Sequence, residues 1–211
     1  MKQFPALASI EFRGIATGMY ATDAMLKKSP IALIRCGTIS RGRYLAILGG
    51  TTASVDEALT EGLYHGGSDV IDSAFLPDVH DRLHDAVLGA VRATGDGAIG
   101  VLETDFVSCN IRAAETALKS TPVELIEIRL GDTQMGGRGM SIFQGDLHDI
   151  TAAMDMATHF LRVKEYPFTQ RILTAPHEAM VQQMNHSTRF KNALNMELDG
   201  EKPSEALYTE A

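Results

Sequence analysis

The sequence predicts an α+β protein made of two tandem copies of one ferredoxin-like unit, each βαββαβ followed by a short terminal helix. Three observations carry that prediction. The chain of 211 residues is long enough for two small domains, it contains an internal repeat, and apolar spacing alternates between strand-like and helix-like within each copy.

The repeat starts at Glu11. At an offset of 92, Glu11 meets Glu103, Leu26 meets Leu118, Lys27 meets Lys119 and Pro30 meets Pro122, and Leu33–Ile34 meets Leu125–Ile126. The offset then becomes 95: Gly42–Arg43 meets Gly137–Arg138, Gly50 meets Gly145, and Val55, Ala58 and Leu59 meet Ile150, Ala153 and Met154. One loop of the second copy therefore carries three extra residues. The expected divisions are a first domain over 1–92, a second over 97–186, a linker within RATGDG at 92–97, and a flexible acidic tail over 187–211.

Within the first copy, residues 6–12 read as a strand and 15–28 as a helix, with Ile15, Met19, Thr22 and Leu26 on one face. The second copy repeats that stripe as Val107, Ile111, Ala114 and Leu118. Asp23 with Lys27, and Glu115 with Lys119, are i,i+4 pairs in the favourable orientation, worth about 0.2–0.5 kcal/mol each. Ser29–Pro30 and Thr121–Pro122 end these helices, because a residue before proline is pushed toward extended geometry. Strands follow at 31–36 and 123–128, then at 43–48 and 138–143. The next helix opens near Thr52 or Ser54, with Asp56 and Glu57 expected in its first turn, and its counterpart opens near Asp146. Strands at 69–75 and 168–174, and short helices after Pro77 and Pro176, complete the units.

Composition narrows the function classes. Hydrophobic residues make up 45% and charged residues 22%, as in ordinary globular chains. No apolar run approaches the roughly 18–20 residues of a membrane span, and MKQFPALASIEFRG does not read as a secretory signal. A net charge of −8 argues against nucleic-acid binding through a basic surface. Two cysteines, Cys36 and Cys109, make no disulfide framework and suit a reducing cytoplasm.

Catalytic chemistry is not evident. His80 and His84 imitate metalloprotease spacing, but Asp81 replaces the usual glutamate and no third ligand follows, so they read as solvated histidines on a terminal helix. Gly131–Arg138 lacks the Lys–Ser/Thr pair of a phosphate loop and precedes a strand. Cys36 and Cys109 have no flanking histidine and read as buried apolar groups; the ten methionines read as core filler. Lys27 and Lys119 stand out because both copies place them identically.

DAMLKKSP at 23–30, TISRGRYLAILGG at 38–50 and PHEAM at 176–180 resemble bacterial microcompartment shell proteins of the tandem-domain, trimeric class, closest to those of propanediol-utilising compartments. The resemblance runs to about residue 184. It implies a non-enzymatic structural protein whose partners are two further copies of itself, in a homotrimeric pseudohexamer, and other shell proteins. It implies no nucleic acid and no membrane, and a location in a microcompartment shell within the cytoplasm. Lys27 and Lys119 are then tile-edge residues, while Ser40, Arg41 and Gly42, with Asp132, Thr133, Gln134, Met135 and Gly136, line a central pore for small metabolites. The longer second loop is expected to narrow or gate that pore. Strand order is the direct one, starting with the strand that carries Glu11, rather than the permuted one. Ser40 stands where some relatives carry a cysteine that holds an iron–sulfur cluster, so no cofactor or metal is assigned. Thr174 and Ala175 precede Pro176 where the family often has an edge arginine. The competing class is a ferredoxin-like oligomer that binds or senses a metabolite, which shares the fold and the lack of catalytic residues.

Overall fold

A computed structural model describes residues 2–132 and 135–196. The first unit runs β1 (Ala6–Phe12), α1 (Ile15–Lys28), β2 (Ala32–Ile39), a 3₁₀ turn (Ser40–Gly42), β3 (Arg43–Gly50), α2 (Thr52–Gly66), β4 (Val70–Leu76) and α3 (Asp81–Val87). The second runs β5 (Ala98–Thr104), α4 (Val107–Ser120), β6 (Glu124–Leu130), β7 (Gly139–Gly145), α5 (Leu147–Val163), β8 (Phe168–Leu173) and α6 (Glu178–His186). Each unit has one four-stranded antiparallel sheet, in the orders β2-β3-β1-β4 and β6-β7-β5-β8. Even the irregularities repeat: the register slips between Leu33 and Arg35 in β2, and between Leu125 and Glu127 in β6.

One face of each sheet is covered by its own two long helices. In the first unit, Ile10, Phe12, Ala46 and Leu48 pack against Met25, Val55, Ala58 and Leu59. Close approach is set by small residues: a Cβ at Gly18 would lie 2.6 Å from the Tyr44 ring, so α1 can rest on β3 only without one. The start of α2 differs from expectation. The helix begins at Thr52 with the Thr51 hydroxyl accepting from the Ser54 amide, so Asp56 and Glu57 fall beyond the first turn and a hydroxyl cap does the work expected of those acids.

The opposite face of the first sheet is covered by the second unit. Leu7, Leu45, Ile47 and Leu76 join Leu83 and Val87 of α3 and Val107, Ile111 and Ala114 of α4 in one continuous core. The repeated stripe therefore has two fates. Val107 and Ile111 are 0% and 3% exposed, whereas Ile15 and Met19 are 38% and 58% exposed; α1 packs on its own sheet through Gly18, Ala21, Thr22 and Met25 instead.

Two further expectations are corrected. His84 is buried rather than solvated: its Nε2 accepts from the Phe4 amide at 3.2 Å and its Nδ1 lies 3.0 Å from Asp85. His80 caps α3, with Nδ1 accepting from the Arg82 amide at 3.2 Å. Of the two cysteines, Cys109 is buried but Cys36 is exposed. In the segment expected to form a loose tail, the Thr188 hydroxyl donates to Glu127 at 2.7 Å and the Leu194 amide donates to Gln183 at 2.9 Å; residues 197–211 lie outside the described part.

Candidate functional site

Two features bring chemistry-bearing residues together: the junction between the units, and the pair of loops at one end of the sheets. At the junction, α4 starts at Phe106, which offers no side-chain cap. Glu11 supplies one from the other unit, its Oε1 accepting from the Ser108 amide at 2.6 Å. Beside it the Ser9 and Ser108 hydroxyls are 2.9 Å apart. Burial pushes the Glu11 carboxyl up to about 7, opposed by the bond from the Ser108 amide and reinforced by Asp72, its cross-strand neighbour. Asp72 is also raised by burial, although it accepts from the Tyr166 hydroxyl at 2.8 Å. Burial likewise drives the Cys109 thiol up to about 12, so it is an inert thiol.

The rest of the junction is polar bonding laid over apolar packing. Arg82 Nε donates to the Leu125 carbonyl at 2.6 Å and Nη2 to the Ile126 carbonyl at 3.1 Å, fixing α3 along β6. The His80 amide donates to the Glu115 carboxylate at 3.0 Å. Arg43 Nη1 donates to the Asp105 carbonyl at 3.0 Å while its guanidinium lies 5.0 Å from the Phe106 ring centre. In the sequence Glu11 is visible as an acid near the end of an apolar strand, matched by Glu103 in the repeat, but its partner in the other unit is not.

The structure brings the two glycine-containing loops together. Ser40 Oγ donates to the Asp132 carbonyl at 3.4 Å, and a Cβ at Gly137 would lie 3.0 Å from the Ser40 carbonyl oxygen. Gly137 has φ +78°, which L side chains rarely adopt, so both geometry and space select glycine there. Arg41 adopts φ 67° without being glycine, a left-handed conformation that costs about 1–2 kcal/mol. The Asp132 carboxylate is not free: Arg129 clasps it at 2.7 and 3.0 Å, and Arg189 Nη2 lies 3.5 Å away. Met135 packs beside Ile126, Met140 and Ile142, and Gly136 takes φ +59°. Thr133 and Gln134 lie outside the described residues.

The two repeat lysines have different surroundings. Lys27 is exposed and pairs only with Asp23, at 2.5 Å, among the described residues. Lys119 bridges the units, pairing with Glu115 at 2.8 Å and donating to the Asp78 carbonyl. Among the described residues, three metal-ligating side chains converge only at Asp146, His148 and Asp149, an open group at the start of α5, and no helix is long and apolar enough to cross a membrane.

The BMC-domain family matches this chain twice, over residues 6–79 and 98–175, and these spans coincide with the two sheets. The chain belongs to the BMC-domain family of bacterial microcompartment shell proteins. It is 32% identical over 179 residues to the bacterial microcompartment shell protein PduT of Citrobacter freundii, spanning 85% of this chain and 97% of that protein. A microcompartment protein from Desulfitobacterium hafniense DCB superposes with a TM-score of 0.74 at 28% identity, over 84% of this chain and 98% of that one. A fused permuted hexameric shell protein of the RMM microcompartment shares the fold, with a TM-score of 0.53 at 22% identity, over 76% of this chain and 85% of that one. The protein is thus a tandem-BMC structural shell protein, with two α+β units of four strands each. The family assembles with other shell proteins, which suits the side-by-side union of its own two units.

Proposed function

We propose that three copies close into a pseudohexameric tile by repeating between chains the interface that joins the two units within one chain. The carrying observation is that α1, β2 and α6 leave exposed what their counterparts α4, β6 and α3 bury. Helix α6 has no buried residue, whereas α3 buries Arg82, Leu83, His84, Ala86 and Val87. Strand β2 has no buried residue, whereas five of the seven residues of β6 are buried. An interface whose two sides are different surfaces must continue until it closes on itself, and a ring of like units is the closed solution.

The second sheet offers a receiving face. Val101 and Ile142, counterparts of Ser9 and Ile47, line an apolar groove of about 320 Å³ beneath α6. On the first sheet that face is filled, with Val87 and Ile111 against Ile47. Exposed Met19, the counterpart of Ile111, comes from a neighbouring chain in this reading. Glu103 of the receiving sheet then serves the amides of that neighbour's α1, which has no side-chain cap of its own, as Glu11 serves α4.

Three copies of the Ser40–Gly42 turn and of the 131–138 loop then surround a central pore for small metabolites, with Ser40, Arg41, Gly42, Asp132, Met135 and Gly136 at its rim. Because Asp132 is held by Arg129 and Arg189, the charge left at the rim is that of Arg41. Each sheet is read as ferredoxin-like in direct strand order, with domains over 1–92 and 97–186, supported by β1 and β5 opening each unit. The tile has no catalytic role in this reading; it binds other shell proteins edge to edge through Lys27, with Lys119 in the matching place of the second unit.

Lys27→Ala should abolish or thin the sheets formed by overproduced protein in electron micrographs while leaving the trimer intact by light scattering. An exposed helix-end residue contributes little to folding. Unchanged sheets would count against the edge role.

A further inference from the structure

Arg13, Arg41 and Arg43 line one cavity of about 460 Å³, together with Val70, Ile71 and Phe106, and no acidic residue lines it. Three arginines around one opening run against a chain of net charge −8. The nearby acids are committed elsewhere. Glu11 accepts from the Ser108 amide, Asp69 accepts from the Thr17 hydroxyl at 2.5 Å, and the Asp105 carboxylate lies 3.7 Å from Arg138. Among the described residues, none of the three arginines makes an ion pair with an acid of this chain.

The repeat supplies an internal control. The same place in the second unit is a cleft of only about 110 Å³ lined by Glu103, Asp105, Arg138, Phe168 and Thr169. There Asp105 stands where the first unit has Arg13, and Arg138, the counterpart of Arg43, lies 3.5 Å from Glu103 and 3.7 Å from Asp105. One unit holds its arginine against two acids at 3.5 and 3.7 Å; the other gathers three with no acid at ion-pair distance, Glu11 acting on Arg43 only from farther away. Arg43 is also pre-positioned by the Asp105 carbonyl and the Phe106 ring, and Arg41 by its left-handed backbone.

We infer that Arg13, Arg41 and Arg43 form a binding site for a small organic oxyanion, a carboxylate or phosphate monoester whose short carbon chain lies against Val70, Ile71 and Phe106. Guanidinium groups match the planar, paired acceptors of such anions, and the apolar wall selects an organic anion over a bare inorganic one. All six lining residues belong to one chain, so the site can also be titrated in monomeric Met19→Asp protein, where no Glu103 of another chain reaches the start of α1 beside Arg13.

The test is calorimetric titration of the full chain with butyl phosphate, butyrate and butanol, up to about 10 mM, the range of weak metabolite sites. Saturable binding is expected for at least one of the two anions, and which of them binds identifies the head group; butanol should give none. Arg41→Gln, and Arg13→Asp, which copies the second unit, should each weaken binding by about tenfold or more, the loss of one charge-assisted contact. Lys28→Gln, exposed at the far end of α1 from Arg13, should bind as the parent does. Absence of saturable binding by either anion, or equal binding by the two arginine variants and the parent, would overturn the assignment. Both arginines are outside the core, so matched melting curves will separate lost binding from lost folding.

Discussion

Met19→Asp protein should run at the mass of a single chain, 22.8 kDa, and the parent at three times that mass. Met19 is 58% exposed in one chain, and its repeat counterpart Ile111 is 3% exposed against the first sheet. If the interface repeats between chains, Met19 becomes equally buried there, and a carboxylate in that place lacks a partner. Leaving such a charge uncompensated costs several kcal/mol at each of three contacts, enough to dissociate a ring. The fold itself should survive, since α1 packs on its own sheet through Gly18, Ala21, Thr22 and Met25. Tyr64→Asp is the control: Tyr64 is more exposed still and lies on α2, away from the repeated interface. Light scattering of the three proteins, with circular dichroism to verify folding, decides the matter. A trimeric Met19→Asp protein would remove α1 from the interface.

The second large effect is on pH dependence. The Glu11 carboxyl is raised from 4.5 to about 7 in the folded chain, so between those values the folded state holds more of the proton than the unfolded state does. Stability must therefore fall as pH rises through that window, by about 1.4 kcal/mol per unit of pKa difference, on the order of 3 kcal/mol in all. Asp72 is raised too and contributes with the same sign. Glu11→Gln keeps an oxygen to accept from the Ser108 amide but cannot ionise. Denaturant unfolding from about pH 5 to 8 should show a shallower slope for the variant and greater stability than the parent at the alkaline end. Equal slopes would mean that Glu11 does not carry the effect.

Much of the fold was legible in the sequence because it depends on local signals. Pro30 and Pro122 bound α1 and α4, the offset change from 92 to 95 marks the longer loop, and strand pairs follow the apolar runs. What surrounds each helix was not legible. Of the stripe Ile15, Met19, Thr22 and Leu26 only Thr22 is buried, whereas Val107, Ile111, Ala114 and Leu118 all are, because chain order gives α4 a neighbouring sheet and gives α1 none. The candidate site divides the same way. The contact of the Ser40 turn with Asp132 lies between the two units, where no spacing within one copy points to it, whereas the Arg129–Asp132 pair is local at i,i+3. Arg189 reaching the same carboxylate across 57 residues follows from the return of the chain over the second sheet, which no spacing rule contains. His84 is similar: its burial comes from Phe4, at the far end of the first unit. Glu11 shows the converse, since its strangeness in an apolar strand was visible while its partner Ser108 was not.

Ring closure is tested most directly by a cross-link at the pair of positions that repeats the Ser9–Ser108 contact. Those hydroxyls lie 2.9 Å apart within one chain, and their counterparts are Val101 and Ala16. In a Cys36→Ser background, which removes the exposed native thiol, the double variant Ala16→Cys, Val101→Cys should oxidise to covalent species that stop at three chains on a non-reducing gel. Each single variant should remain uncross-linked. Monomer alone after oxidation, or a ladder running well beyond three chains, would contradict a three-chain ring built on the repeated interface.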